Sequence, residues 1–129
     1  MAARLPSKPT EGELAILSIL WSQGPCTVGQ VQEALNKERD TGYTTALKLL
    51  QIMTEKGLVM RDESKRAHVY RAKFTEEQTQ QQLVGDLLER AFGGSATRLV
   101  VQALSSRRAT KKELGQIRNL LDELEGDSG

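Results

Sequence analysis

The sequence predicts a mostly helical protein with one small β-wing. An N-terminal winged helix-turn-helix is followed by a C-terminal helical region that forms a dimer. Three observations carry this expectation. Threonine stands three residues ahead of Glu or Gln at Thr10–Glu13, Thr27–Gln30, Thr75–Gln78 and Thr110–Glu113, the capping-box pattern that satisfies two free backbone donors at a helix start. Gly24, Gly57, Gly93–Gly94 and Gly126 each follow a run with helical apolar spacing and mark helix ends. Between Gly57 and Thr75 the apolar pattern changes to alternation around the polar tetrad ESKR, which reads as a hairpin.

Taken in order, residues 1–9 (MAARLPSKP) form a flexible arm, residues 10–74 the winged helix and residues 75–129 the helical dimerisation domain. The first helix spans about 11–22, with Leu14, Leu17, Leu20 and Trp21 at helical spacing. The second spans about 28–38, with Val28, Val31, Ala34 and Leu35 on one face. A short connection over Arg39–Gly42 leads to a third helix at 43–56, whose apolar side is Ala46, Leu47, Leu49, Leu50 and Met53. The hairpin follows as LVMRD (58–62), a turn ESKR (63–66) and AHVYRAKF (67–74). Leu58 and Met60 alternate with Val59 and Arg61 as in a half-buried strand, and His68, Tyr70 and Ala72 share one face, where His68 packs against the domain.

The second half reads as helices at about 76–92, 96–106 and 111–125. Leu83, Leu87, Leu88 and Phe92 stripe the first, and Leu99, Val100 and Leu104 the second. Ile117, Leu120, Leu121 and Leu124 stripe the third. So short a helical segment, with one aromatic residue, buries too little surface to stand alone. Its apolar stripes need a partner, and the same segment of a second chain supplies one with two-fold symmetry.

Composition excludes several function classes. No apolar run is long enough to span a bilayer and no signal segment opens the chain, so a cytoplasmic protein with no membrane insertion is expected. Cys26 is the single cysteine, which rules out an intrachain disulfide and a thiolate metal cluster within one chain. One histidine, one cysteine and no Gly-rich phosphate loop leave no nucleophile–base pair to assemble. The chain therefore reads as a non-enzyme with no cofactor.

The formal net charge is only +1, but it is unevenly spread. Over residues 41–73, Lys48, Lys56, Arg61, Lys65, Arg66, Arg71 and Lys73 face only Glu55, Asp62 and Glu63. Positive charge thus gathers on the third helix and the hairpin, the footprint of a nucleic-acid binder. Thr41, Tyr43, Thr44 and Thr45 stand at the start of that helix, where a recognition helix meets base edges and phosphates. A threonine offers a hydroxyl for hydrogen bonds and a methyl for thymine. Lys48 and Gln51 continue the same side, while Lys65 and Arg66 at the wing tip and Arg71 on the returning strand suit phosphate contact. Two other classes fit the same pattern: a winged helix that docks a protein partner, and a regulator that senses a small molecule.

The ordered set PTEGELAILSILW, GPCTVGQVQEAL, GYTTALKLLQIMTEKGLV and RAHVYRAKF resembles the penicillinase-repressor family, the BlaI/MecI/CopY-type bacterial transcriptional regulators. AFGGSATRLVVQAL and ELGQIRNLLDELE extend the resemblance over nearly the whole chain. It implies a winged helix with a C-terminal dimerisation region, a palindromic double-stranded DNA operator, and repression. It also implies that Thr44, Thr45 and Lys48 face the major groove and that residues 75–124 form the dimer. In the β-lactam-responsive branch, repression is relieved when a membrane sensor protease leads to cleavage at an Asn-Phe bond; the aligned bond here is Gln102–Ala103. The copper-responsive branch carries C-terminal cysteines, whereas this chain ends LDELEGDSG, which argues against a copper response by that route.

Overall fold

The computed structural model describes residues 8–128, with side chains described to Gly126. The arm expected over residues 1–9 therefore lies, apart from Lys8 and Pro9, outside the described residues. The capping pattern does what the spacing predicts. Thr10 caps α1 (Glu11–Gln23) and Thr27 caps α2 (Val28–Leu35), each in a complete capping box. Thr75 and Gln78 exchange the same pair of hydrogen bonds at the head of α4 (Glu76–Phe92). Thr110 supplies half a box to α6 (Lys111–Ser128): its hydroxyl accepts from the Glu113 backbone at 3.0 Å, while the Glu113 carboxylate pairs with Arg107. Ser95, which carries no threonine signature, caps α5 (Ala96–Ser106).

Three glycine stops hold. Gly24, Gly57 and the Gly93–Gly94 pair all have positive φ, the region where a residue without Cβ ends a helix without strain. Gly126 is different, because α6 continues through it to Ser128.

The chain divides into two units, Met1–Gly85 and Asp86–Gly129, so the division falls inside α4 rather than ahead of it. In the first unit, α1, α2 and α3 (Tyr43–Glu55) pack on a three-stranded antiparallel sheet of order β1-β3-β2. The wing is β2 (Val59–Asp62) against β3 (Val69–Ala72), in register Val59↔Ala72 to Asp62↔Val69. A two-residue strand β1 (Cys26–Thr27) pairs with Tyr70 and Val69 on the other edge of β3. Two residues carry no readable alternation, so this strand has no sequence signal and exists only because β3 arrives beside it.

Ile16, Leu17, Leu20, Val31, Leu50, Met53, Leu58, Val59 and Tyr70 form the fully enclosed part of the core. Three sequence expectations shift. Ile16 rather than Leu14 leads the buried face of α1. Met60 points outward at 42% exposure while the adjacent Leu58 and Val59 are both buried. Leu58 precedes the strand and its N–H returns to the Met53 carbonyl at 2.9 Å, so alternation begins at Val59. The ladder also closes at Asp62↔Val69, so the wing loop spans 63–68 and the lone His68 lies exposed in it instead of packing beside Tyr70.

Two long-range polar contacts tie the unit together. The Trp21 indole N–H donates to the Phe74 carbonyl at 3.0 Å, joining α1 to the chain just beyond β3. The Glu13 carboxylate, 3% exposed at its side chain, meets Lys56 Nζ at 2.6 Å. The same carboxylate accepts the Thr10 backbone N–H at 2.9 Å. Burial alone would raise the Glu13 pKa, but the Lys56 and Thr10 hydrogen bonds outweigh it and hold the acid below its ordinary value. Cys26 is buried, and burial pushes its thiol pKa up, which suits a small packing residue and not a reactive thiolate.

Among the described residues, one buried side-chain group lacks a partner. Thr79 in α4 is 1% exposed and its hydroxyl makes no hydrogen bond. Thr79→Val keeps the shape and deletes the stranded polar atom, so it should stabilise the fold by about 1 kcal/mol. Chemical denaturation of both proteins would read this, and a less stable valine variant would show that the hydroxyl is satisfied in solution.

Candidate nucleic-acid interface

Helix α3 is amphipathic for a physical reason. Ala46, Leu50 and Met53 are fully buried, which turns the opposite side outward. That outward side carries Thr44, Lys48 and Gln51, all exposed. These residues lie at i, i+4 and i+7, so they form one stripe along the helix. Tyr43 is 52% exposed at the first turn. Thr45 is also exposed but sits around the helix from Thr44, lining a groove between α1, the end of α2 and α3.

Thr41 departs from the expectation that it faces outward. It is 8% exposed. Its hydroxyl donates to the Arg39 carbonyl at 3.1 Å and its N–H donates to Asn36 Oδ1 at 2.6 Å. Its carbonyl accepts from Gln32 Nε2 at 3.3 Å. With all three polar groups engaged in the α2–α3 connection, Thr41 sets the entry of α3. The N-cap is Gly42, with no side-chain cap hydrogen bond. The first N–H groups of α3 are therefore free of a side-chain acceptor, and a helix N-terminus in that state favours an anion such as a phosphate.

The wing keeps its acids occupied. Asp62 accepts the Ser64 N–H at 2.9 Å, and the Ser64 hydrogen bonds hold its carboxyl below the usual range. Glu63 pairs with Arg61, whose guanidinium also bonds the Tyr70 hydroxyl. Lys65 and Arg66 are exposed in the loop between them, and Arg71 is exposed on the outward face of β3, opposite Met60. Arg61 and Lys73 are exposed as well, Arg61 held by its pair with Glu63 and Lys73 over the Phe74 ring.

None of the residues expected at the dimer contact is buried within the chain. Leu83, in the first unit, is half-buried. In the second unit Leu88, Phe92, Leu99 and Ile117 are half-buried, while Leu87, Val100, Leu104, Leu120, Leu121 and Leu124 are exposed. Val84 and Val101 are exposed as well; Val84 stands three and four residues before Leu87 and Leu88 and so falls on the α4 stripe, while Val101 lies beside that of α5. In α6, Leu114, Ile117, Leu121 and Leu124 repeat at three and four residues, the a/d spacing of a helix seam. Gln102 and Ala103 lie inside α5 and are exposed. Among the described residues no helix is long and apolar enough to cross a membrane.

A family profile described as penicillinase repressor matches residues 9–123. The transcriptional regulator BlaI of Mycobacterium tuberculosis is 35% identical over 118 residues, 91% of this chain and 85% of that protein. The penicillinase repressor of Staphylococcus aureus is 18% identical over 112 residues, 87% of this chain and 89% of that protein. Among solved structures, a MarR family protein from Bacillus stearothermophilus aligns over 95% of this chain and 76% of that one, with a TM-score of 0.51 and 18% identity. That last likeness concerns the fold.

Proposed function

The chain belongs to the penicillinase repressor family of DNA-binding transcriptional regulators, which are not enzymes, and from that premise we propose that it represses transcription as a homodimer on a palindromic operator. The observation that carries the proposal is the pairing of one exposed polar stripe on α3 with the solvent-facing basic residues of the wing. In this reading Thr44, Lys48 and Gln51 enter the major groove, with Tyr43 and Thr45 at the edges of the contact. The uncapped start of α3 meets a phosphate, and Lys65, Arg66 and Arg71 hold the flanking backbone.

Two copies of α3 lie about 34–36 Å apart on successive grooves, a spacing set by the paired C-terminal helices. The dimer contact uses Leu83, Leu87, Leu88 and Phe92 of α4, Leu99, Val100 and Leu104 of α5, and Ile117, Leu120, Leu121 and Leu124 of α6. Exposed apolar residues repeated on several helices call for such a cover. Repression follows by occupying a promoter in the cytoplasm. Control acts by separating the dimer, since one helix and one wing bind weakly. Cleavage by a sensor protease at Gln102–Ala103 would require α5 to unwind locally, because a helical peptide bond is not in the extended form a protease cleft takes.

The test is titration of a fluorescent duplex drawn from upstream of the protein's own gene, at several salt concentrations. Lys65→Ala with Arg66→Ala should weaken binding to every sequence alike. It should also flatten the salt dependence by about 0.9 in log–log slope for each phosphate that is no longer neutralised. An unchanged slope would remove the wing from the interface. Binding indifferent to both salt and sequence would favour a protein-docking role.

A further inference from the structure

Ile52 is the aliphatic residue of α3 that the core leaves unused. It is 37% exposed. It is also absent from the cluster to which Ala46, Leu47, Leu49, Leu50 and Met53 all contribute. An exposed aliphatic alone is ordinary, so its position has to decide. At 100° per residue, Gln51, Thr44, Lys48 and Ile52 fall within an arc of about 100°. Ile52 thus borders the polar stripe assigned above to the major groove, between Lys48 and Thr45 around the helix and about 12 Å along the axis from Thr44.

A branched hydrocarbon beside that stripe can neither bond a phosphate nor read a donor or acceptor. On the major-groove edges of the four bases, the apolar group is the C5-methyl of thymine. A β-branched side chain in a helix is also held in one χ1 rotamer, so it gives up little freedom when it packs. We infer that Ile52 is a specificity-determining residue that packs against a thymine C5-methyl. This deepens the DNA-reading role proposed for α3 and rests on it.

The test uses the full-length protein and a duplex that it selects from a randomised pool. Each thymine is replaced in turn by deoxyuridine, which keeps the base pair and removes only the methyl. The wild-type protein should lose about fourfold in affinity at one thymine per half-site, the effect of exposing one buried carbon group. Ile52→Ala should bind the thymine and uracil duplexes equally, while Ile52→Val keeps part of the difference. An undiminished uracil penalty in Ile52→Ala, or no sensitive thymine in the wild type, would overturn the inference. Failure of the wild type to select any duplex would instead overturn the DNA-reading role itself, and the inference with it.

Discussion

Replacing Leu120 and Leu124 together by Asp is expected to convert the protein to a monomer and to abolish operator binding. In the single chain these leucines are 53% and 55% exposed, so the substitution should leave the fold of each subunit intact. In the proposed dimer both become covered. Each buried leucine contributes about 1.5–3 kcal/mol, and each carboxylate forced into the same place costs several more. Two-fold symmetry doubles the number of changed residues in one contact. Losing the link between two DNA-binding units removes an avidity gain of roughly 100- to 10,000-fold. Sedimentation and duplex titration read the two effects separately, with circular dichroism as the check on folding. A variant that still sediments as a dimer would place the contact on other helices.

The second large effect concerns the pair that joins α1 to the end of α3. Lys56→Met leaves the Glu13 carboxylate buried without its cation. Breaking a buried pair in this way costs about 3–5 kcal/mol. The expected loss at pH 7 is nearer 2–3 kcal/mol, because the Lys56 side chain keeps 25% of its surface in water. The pH dependence is the sharper test. In the wild type the Glu13 pKa lies below the ordinary 4.5. Its contribution to stability is therefore present above that value and is lost as pH falls through the folded-state pKa. In the variant only the Thr10 hydrogen bonds still oppose burial, so the Glu13 pKa rises relative to the wild type and acidification relieves part of the strain. The stability gap between the two proteins should narrow as pH drops from 7 toward 4. A gap that stays constant would mean that Glu13 is not the group responsible.

Helix starts were legible because each needs only a few neighbouring residues, as at Thr10, Thr27 and Thr75. Helix α3 was legible for the same kind of reason: its apolar and polar sides alternate with helical period, and Gly57 ends it. Sequence alone misleads where a residue's role depends on something distant in the chain. Thr41 looked like an exposed polar residue at a helix start, yet Gln32 and Asn36 draw it inward. Ile52 looked like one more apolar helix position, and only the packing of Leu50 and Met53 shows that it is left outside. Gly126 looked like a stop, but a glycine can also continue a helix, and the pattern around it does not distinguish the two.

By itself the sequence determined the winged-helix class, the order of the helices and the basic character of the wing, because periodicity, capping and charge are local properties of the chain. Tertiary structure decided the wing's register, the two-residue strand β1, the Glu13–Lys56 pair and which side of α3 remains open. These depend on which distant segments meet, and long-range packing and pairing choose among arrangements that local preferences leave nearly equal in free energy.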